Sequence, residues 1–297
     1  MATATTATAP PSKPAGPARP AATPAPAARA APTMALPGAF TAGVRVVYVA
    51  TEGYGKTTVA ALAPDPVIVM APDELGYLTL LSRELVPAVP VIQPRTWPDL
   101  LGAIDAFGRD PQGRKTLALD AMAGLETLLA THICVSQFGG DWGEKGFAAW
   151  GRGRGIVGRE WPMLLSRLTS IARLGINVLI LGHAKVKRFD APDGPAYDRY
   201  ECNVGTDEVW ARTKAWAEAV LFGSFRAIVE QSRPESNTAK AHGKAVAHQR
   251  ILRCQYSAVA DAKNQWGLAP EYVLSDDPAA CASEFWSLVK PNTGGKR

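Results

Sequence analysis

The sequence predicts an α/β fold in which helices flank a mainly parallel sheet. Runs of β-branched and apolar residues recur along the chain, as is typical of strands that are buried on both faces. Segments with helix-start and helix-stop signals separate these runs. The first run leads into the turn Gly53-Tyr54-Gly55-Lys56-Thr57, which commonly joins a strand to a helix. Strands that alternate with helices assemble into layered α/β domains.

The first predicted strand covers residues 44–49 (VRVVYV), a β-branched run that suits a buried position. The short helical stretch TTVAALA follows and is stopped by Pro64, since proline cannot continue a helix. Residues 67–70 (VIVM) predict a second buried strand, and residues 89–93 predict a short third one.

The next element is a helix that we expect to run to about residue 107. Thr96 is a typical N-cap residue, and Pro98 lies in the first turn, where its missing N–H costs nothing. The run TLAL at residues 116–119 predicts another strand, and a helix is expected over residues 124–135.

A glycine-rich stretch leads to a further helix, expected over residues 161–174 and ended by Gly175. The run INVLIL at residues 176–181 predicts a buried strand that ends at His183, and a helix is expected near residues 207–217. Further apolar segments lie at residues 219–222, 227–229 and 251–254.

The first 34 residues differ in composition from the rest. Eight of the 24 prolines fall there, and the segment is mostly Ala, Pro and Thr, without an aromatic or acidic residue. Such a segment buries too little apolar surface to offset the entropy lost on ordering. We therefore expect residues 1–38 to be a disordered tail and residues 39–297 to form one folded domain. The tail lacks the apolar stretch of a signal peptide.

Charge and cysteine content limit the possible partners. The net charge of +5 and the pI of about 9.0 favour polyanionic partners only mildly. Cys134, Cys202, Cys254 and Cys281 lie far apart, which predicts neither a zinc site nor a disulfide framework and is typical of the reducing cytoplasm. No apolar run approaches the roughly 20 residues that would predict a membrane span.

The segment from Ala50 to Thr57 matches A-x-x-x-x-G-K-T, a phosphate-binding loop in which Ala50 replaces the usual glycine. The backbone N–H groups of such a loop surround phosphate oxygens. Lys56 is expected to reach the β- and γ-phosphates, and Thr57 to bind Mg²⁺. The pattern therefore predicts a site for Mg-ATP. Its candidate nucleotide-binding residues are Ala50, Thr51, Glu52, Gly53, Tyr54, Gly55, Lys56, Thr57 and Thr58.

Asp120 is the expected second part of this site, because it ends the apolar strand TLALD. Ligands of open α/β sheets bind at the carboxyl ends of the strands. There the Asp120 carboxylate would complement Thr57 by holding the water shell of Mg²⁺.

The base that activates water is not expected next to Asp120, because Ala121 occupies the position where many P-loop ATPases have a glutamate. Glu74, which follows the strand at residues 67–70, is the first candidate, and Asp73 is the reserve. The alternative is that both acids are solvated turn residues.

Four segments carry a more specific pattern: GYGKTTVAALAPDPVIVMAPDELG, TLALDAMAGLETL, LGHAKVKRFDAPDGPAYDRYE and RILRCQYSAVADAKNQWGLAPE. They resemble phage ATP-binding proteins with a RecA/KaiC-like core, which include the single-strand-annealing recombination ATPases of phages. The resemblance covers most of residues 40–275. It implies a RecA-like P-loop NTPase core, a homo-oligomer in the form of a ring or filament, and a location in the cytoplasm of a bacterial host.

The resemblance also assigns roles to individual residues. It implies that Glu74 activates water, that His183 senses the γ-phosphate, and that Lys263 forms a basic finger that reaches a neighbouring subunit's nucleotide. The family usually reads A-K-N-R at the finger, whereas this chain has Gln265 in place of the arginine. Glu218 also stands where Asp is usual. Without the resemblance, His183 would be read as a structural group at a strand end and Lys263 as a surface lysine.

Two stretches are candidates for contact with single-stranded DNA. The glycine-rich loop expected at residues 138–160 combines cations with Trp142 and Trp150, and such surfaces follow phosphates and stack on bases. The second stretch follows the strand of His183, and RecA-like proteins carry DNA-binding loops after the same two strands. A solvated basic loop is the alternative. The candidate residues are Trp150, Arg152, Arg154, Arg159, Lys185, Lys187 and Arg188.

Three hypotheses about function follow. The first is an ATP-hydrolysing phage recombination protein that binds single-stranded DNA. The second is a nucleotide-dependent assembly protein that does not bind DNA, which Gln265 favours. The third, a small-molecule kinase, lacks a recognisable acceptor site or arginine-rich lid.

Overall fold

The computed structural model of the protein describes residues 42–191, 194–231 and 243–289. The expected tail at residues 1–38 lies outside these ranges, so its disorder and the domain boundary stay predictions. The strands are β1 (Arg45–Ala50), β2 (Pro66–Met70), β3 (Val91–Ile92), β4 (Thr116–Asp120), β5 (Asn177–Phe189), β6 (Tyr197–Cys202), β7 (Ala219–Gln231), β8 (Gly243–Arg253), β9 (Lys263–Asn264) and β10 (Glu271–Leu274).

The helices lie between these strands and after the last one. They are α1 (Lys56–Ala61), α2 (Gly76–Ser82), α3 (Trp97–Arg109), α4 (Met122–Phe138), α5 (Arg152–Glu160), α6 (Pro162–Arg173), α7 (Asp207–Trp216) and α8 (Pro278–Leu288). A short 3₁₀ turn, Ala149–Gly151, precedes α5.

The strands form one mixed sheet in the order β10-β8-β7-β1-β5-β4-β2-β3, with β6 paired to β5 and β9 paired to β7. The pairs that join β7, β1, β5, β4, β2 and β3 are all parallel. The strands β6, β8, β9 and β10 pair antiparallel. The predicted α/β fold with a mostly parallel sheet flanked by helices is therefore confirmed. One strand, β5, separates β1 from β4.

The parallel-paired parts of the central strands are mostly apolar because helices cover both faces of the sheet. In β1, Val47 and Val49 belong to the apolar cluster beneath α3, α4 and α6. The intervening residues Val46, Tyr48 and Ala50 belong to the cluster beneath α1 and α8. Burying each large apolar side chain contributes about 1.5–3 kcal/mol to the free energy of folding. Packing on both faces of the sheet therefore stabilises β1 at its centre.

The helix signals of the sequence correspond to observed caps. The Thr96 hydroxyl accepts a hydrogen bond from the Asp99 N–H at 3.2 Å, and the Asp99 carboxylate accepts one from the Thr96 N–H at 3.1 Å. This reciprocal capping box fixes the start of α3. Gly175, with φ of +84°, follows α6 in the left-handed conformation that ends a helix.

The strand expected to end at His183 instead continues to Phe189, so this expectation is wrong. Beyond Leu181, charged and apolar residues alternate, and the strand pairs antiparallel with β6, for example Lys185 with Glu201. An alternation with a period of two residues suits a strand that exposes one face to solvent. The sequence does not predict this extension because the continuous apolar run ends at Leu181. Lys185 and Lys187 therefore lie within β5 and not in a loop after it.

The loop expected at residues 138–160 is also wrong in part, because α5 is helical despite its three glycines. A Cβ on Gly153 would lie 2.3 Å from the Phe147 ring, and one on Gly158 would lie 2.6 Å from Glu208 Cγ. These two glycines therefore permit close packing of a helix and do not mark a flexible segment. The elements α2, α8, β6, β9 and β10 were not predicted from any pattern.

Candidate active site

The phosphate loop lies between the carboxyl end of β1 and the start of α1. Gly53 and Gly55 have φ of +70° and +99°, a left-handed conformation that disfavours other residues. The N–H of Thr51 donates to the Gly223 carbonyl of β7 at 3.1 Å, which ties the loop to the neighbouring strand. The side chain of Tyr54 is fully buried beneath the loop.

Lys56 is the first residue of α1, and its side chain folds back over the loop. Its Nζ donates to the carbonyls of Ala50 and Thr51 at 3.1 and 3.2 Å. Burial lowers the pKa of Lys56, and the negative field of Asp120 is the main opposing effect. Neutral backbone carbonyls thus hold the ammonium group near the loop. Since they do not neutralise its positive charge, the group can still pair with an anion.

Thr57 and Asp120, the two predicted Mg²⁺ ligands, are in direct contact. The Thr57 hydroxyl donates to Asp120 Oδ2 at 2.9 Å. Burial raises the pKa of Asp120, whereas the hydrogen bond from Thr57 lowers it. Both groups offer oxygen atoms, which Mg²⁺ prefers. Within the described residues no cluster of three or more His, Cys, Asp or Glu side chains could hold a metal ion.

Glu74 and His183 meet at the same edge of the sheet. His183 lies beside Ala50 in the parallel register of β5 and β1, and its Nε2 is 3.5 Å from Glu74 Oε1. The hydrogen bond with His183 lowers the pKa of Glu74, with help from Lys56 and against the effect of burial. Glu74 is therefore an ionised carboxylate, as a base for water must be.

Other acids near this edge have different surroundings. Asp73, the reserve base, is exposed and has φ of +68°. Glu126 is buried on α4 and accepts a hydrogen bond from the Gly205 N–H at 2.6 Å, so it is occupied in holding a loop. Of these three acids, Glu74 is the one whose charge affects the pKa of both Lys56 and Asp120.

Lys263, the predicted finger, lies apart from this chain's own phosphate loop. It pairs with Val220 of β7, which in turn pairs with Val47 in the middle of β1. Burial lowers the pKa of Lys263, and the cations Lys214 and Arg45 lower it further. Its role toward a second subunit stays a prediction.

The two predicted DNA-binding stretches are partly brought together. A cavity of about 740 Å³ lies between α5, β5 and the start of α7. We call it the basic cavity, and its cationic lining residues are Arg154, Arg159, Lys185 and Lys187. Its acidic lining residues are Asp207 and Glu208.

Several of these cations already have partners. Lys187 Nζ is 2.8 Å from Asp207 Oδ1, and Lys185 Nζ donates to the Val204 carbonyl at 2.6 Å. Arg154 donates to the Gly205 carbonyl. These contacts fix the loop between β6 and α7 as one wall of the basic cavity.

The remaining candidates for DNA contact lie outside the basic cavity. Arg152 lies over the Phe138 ring at 5.7 Å, and Arg188 is exposed beside Asp190. Trp150 is fully exposed and has φ of +49°, an uncommon conformation for a bulky residue. A smaller groove of about 270 Å³, lined by Trp142 and other residues, shares Arg154 with the basic cavity.

Arg250 is a residue near the phosphate loop that sequence reasoning did not select. It is buried in β8 and donates to the Tyr54 carbonyl within the loop. It is the first residue of the segment RILRCQYSAVADAKNQWGLAPE, but nothing in that segment singles it out, because a contact across 196 residues leaves no local pattern.

Comparison with known protein families gives a match over most of the chain. A family described as an AAA domain matches residues 42–266, which include the phosphate loop, Asp120, His183 and Lys263. No curated protein matches the chain. None of the helices in the described part of the chain has the length and hydropathy needed to span a lipid bilayer.

Proposed function

This chain belongs to the AAA domain family of P-loop nucleotide-binding ATPases, and we propose that it binds Mg-ATP at the loop from Ala50 to Thr58 and hydrolyses it. The observation that carries the proposal is the meeting of five groups at one edge of the sheet. These groups are Lys56, Thr57, Glu74, Asp120 and His183.

The residues suit the ligands that the family implies. Thr57 and Asp120 would hold Mg²⁺, since their oxygens are already adjacent. When bound, Mg²⁺ supplies positive charge that counters the charge on the phosphate oxygens. Lys56 adds a second positive charge from the loop itself, and the backbone of the Gly53–Gly55 turn donates N–H groups to phosphate.

Glu74 is proposed to orient the attacking water and to accept its proton. His183 holds Glu74 in place and lowers the pKa of its carboxyl group, so the carboxylate is ionised. Glu74 can thus serve as the base, although Ala121 occupies the position where many P-loop ATPases have a glutamate. His183 also lies beside Ala50 at the start of the loop, which suits a sensor of the terminal phosphate. Equivalent chemistry in other ATPases depends on such positioning.

Three variants test the assignment of the loop and the base. Lys56→Ala should abolish hydrolysis and weaken ATP binding. Glu74→Gln should retain ATP affinity and lower turnover by roughly 10²-fold, or about 2.7 kcal/mol in activation free energy. Asp73→Asn is the matched control and should retain turnover, because that side chain points to solvent. Wild-type turnover in Glu74→Gln would contradict the assignment of the base.

We also propose that the protein binds single-stranded DNA, as a phage recombination protein would. Support comes from the convergence of Arg154, Arg159, Lys185 and Lys187 on the basic cavity, although they derive from two distant segments. The basic cavity adjoins the smaller groove that is lined by Trp142. Cations beside an aromatic side chain suit a flexible polyanion, because they contact phosphates while the ring stacks on bases. A homo-oligomer in which Lys263 reaches the neighbour's nucleotide is part of the same proposal.

A specific observation favours the alternative of an assembly protein that does not bind DNA. Lys187 and Lys185 are already engaged by Asp207 and the Val204 carbonyl, and Gln265 replaces the arginine of the finger. The ATPase rate with and without single-stranded DNA separates the two functions. Stimulation by DNA supports the recombination protein, whereas ATP-dependent assembly with no response to DNA supports the alternative.

A further inference from the structure

We propose that Arg250 is a positioning residue for the phosphate loop and that the phosphates of bound nucleotide balance its buried charge. The inference rests on the proposed nucleotide site and extends it to a strand that lies outside the A-x-x-x-x-G-K-T loop. Arg250 lies in β8, directly opposite Phe225 of β7 in the antiparallel register.

The contacts of Arg250 centre on the phosphate loop. Its Nη1 donates to the Tyr54 carbonyl, and its Nε donates to the Asp276 carbonyl at 3.3 Å. The guanidinium lies 5.2 Å from the centre of the Tyr54 ring and 5.1 Å from that of Phe225. The planar group thus packs beside two neighbouring aromatic rings and donates to two carbonyls, which restricts its orientation.

This orientation constrains the backbone of the loop. A trans peptide is planar, with its carbonyl and its N–H on opposite sides. Holding the Tyr54 carbonyl on the Arg250 side therefore aims the Gly55 N–H away from Arg250, into the turn that surrounds phosphate. Gly55 has φ of +99° and precedes Lys56, so it is a central donor of the proposed cradle.

The charge of Arg250 carries the second half of the argument. The side chain is 7% exposed, yet it forms no salt bridge with a carboxylate in the described residues. Buried charges are costly unless an opposite charge compensates them. The loop that Arg250 touches is the proposed site of a nucleoside triphosphate, which carries several negative charges. Bound polyphosphate would supply the missing negative charge.

Two variants separate positioning from simple packing. Arg250→Met keeps much of the apolar volume but removes the charge and both donors. We expect it to weaken binding of Mg-ADP and Mg-ATP about tenfold, to raise the KM for ATP more than it lowers kcat, and to leave the melting temperature of the nucleotide-free protein unchanged or higher. Arg250→Lys keeps the charge but loses the fork, and we expect it to restore part of the affinity.

The matched control is Arg226→Met. Arg226 lies next to Phe225 on the same hairpin, but it is exposed and pairs with Glu271 at 2.7 Å. This variant should bind nucleotide as the wild type does. Titration calorimetry with Mg-ADP and thermal melting with and without Mg-ADP give the readouts.

Wild-type affinity in Arg250→Met would overturn the inference. So would a large fall in melting temperature without nucleotide together with no recovery of affinity in Arg250→Lys, because that pattern indicates packing alone. If Arg250→Met does not fold, Arg250→Lys decides, and unchanged affinity in it also refutes the role. Failure of the wild type to bind Mg-ADP would instead reject the proposed nucleotide site itself.

Discussion

Replacing Arg154 and Arg159 together by alanine tests whether the basic cavity holds a single strand of DNA. Each phosphate contact on a single strand contributes about 0.7 to the slope of log affinity against log salt concentration. Lys187 is already paired with Asp207, and Lys185 is bound to the Val204 carbonyl, so we do not count them. A guanidinium has about five donors, and the single bond from Arg154 to a carbonyl leaves others for phosphate.

Two phosphate contacts therefore predict a slope that is shallower by about 1.4 in the double variant. Between roughly 50 and 200 mM salt, the wild-type affinity should then fall about sevenfold more than that of the variant. Fluorescence anisotropy of a labelled single-stranded oligonucleotide, titrated at several salt concentrations, measures both slopes.

The double variant Arg152→Ala with Arg188→Ala is the matched control. It removes the same formal charge, but both residues lie outside the basic cavity. We expect little change in its slope. Equal slopes in the two double variants would show that overall charge and not the cavity determines binding. An unchanged slope in the variant of Arg154 and Arg159 would exclude the cavity as the DNA site.

Four further predictions follow from other parts of the molecule. Because His183 lowers the pKa of Glu74, the ATPase activity should persist at pH values below the usual pKa range of a glutamate carboxyl group. It should be lost as the pH falls through the lowered pKa of Glu74, and His183→Ala should move this acid limb of the pH–rate profile to higher pH. The Tyr48 hydroxyl is buried and has no hydrogen-bond partner among the residues that the structure describes, so Tyr48→Phe should maintain the free energy of unfolding in urea or raise it by about 1 kcal/mol. Trp150→Ala should weaken DNA binding by about 1–3 kcal/mol with little change in salt slope, since it removes a stacking face and no charge. Deletion of residues 1–34 should leave the melting temperature and ATPase rate nearly unchanged, and a large drop would show that the tail packs on the domain.

The parts of the site that the sequence predicts well depend on short-range patterns. The loop after β1 and the carboxylate at the end of β4 each follow a buried run, and strands buried on both faces reveal themselves as continuous apolar segments. Parallel strands then bring their carboxyl ends to one edge, so the contact between Thr57 and Asp120 follows from the class of fold.

The parts that were mispredicted depend on contacts between distant segments. The glycines of α5 suggest a loop until Phe147 and Glu208 are seen to occupy the space where a Cβ would be. Arg250 and Tyr54 are far apart in the chain, and neither residue alone indicates that they touch. Tertiary packing decides these cases, and local propensity cannot report it.

The extension of β5 relates the two proposed sites to each other. His183, Lys185 and Lys187 alternate along this strand, so their side chains share one face. Two residues of strand span roughly 6–7 Å, which is therefore the spacing between His183 and the first cation of the basic cavity. The His183 carbonyl also accepts a hydrogen bond from the Asn203 N–H at 2.7 Å, at the start of the loop that walls the cavity. The middle of β5, at His183, therefore borders the proposed phosphate site, and its C-terminal half, at Lys185 and Lys187, borders the basic cavity.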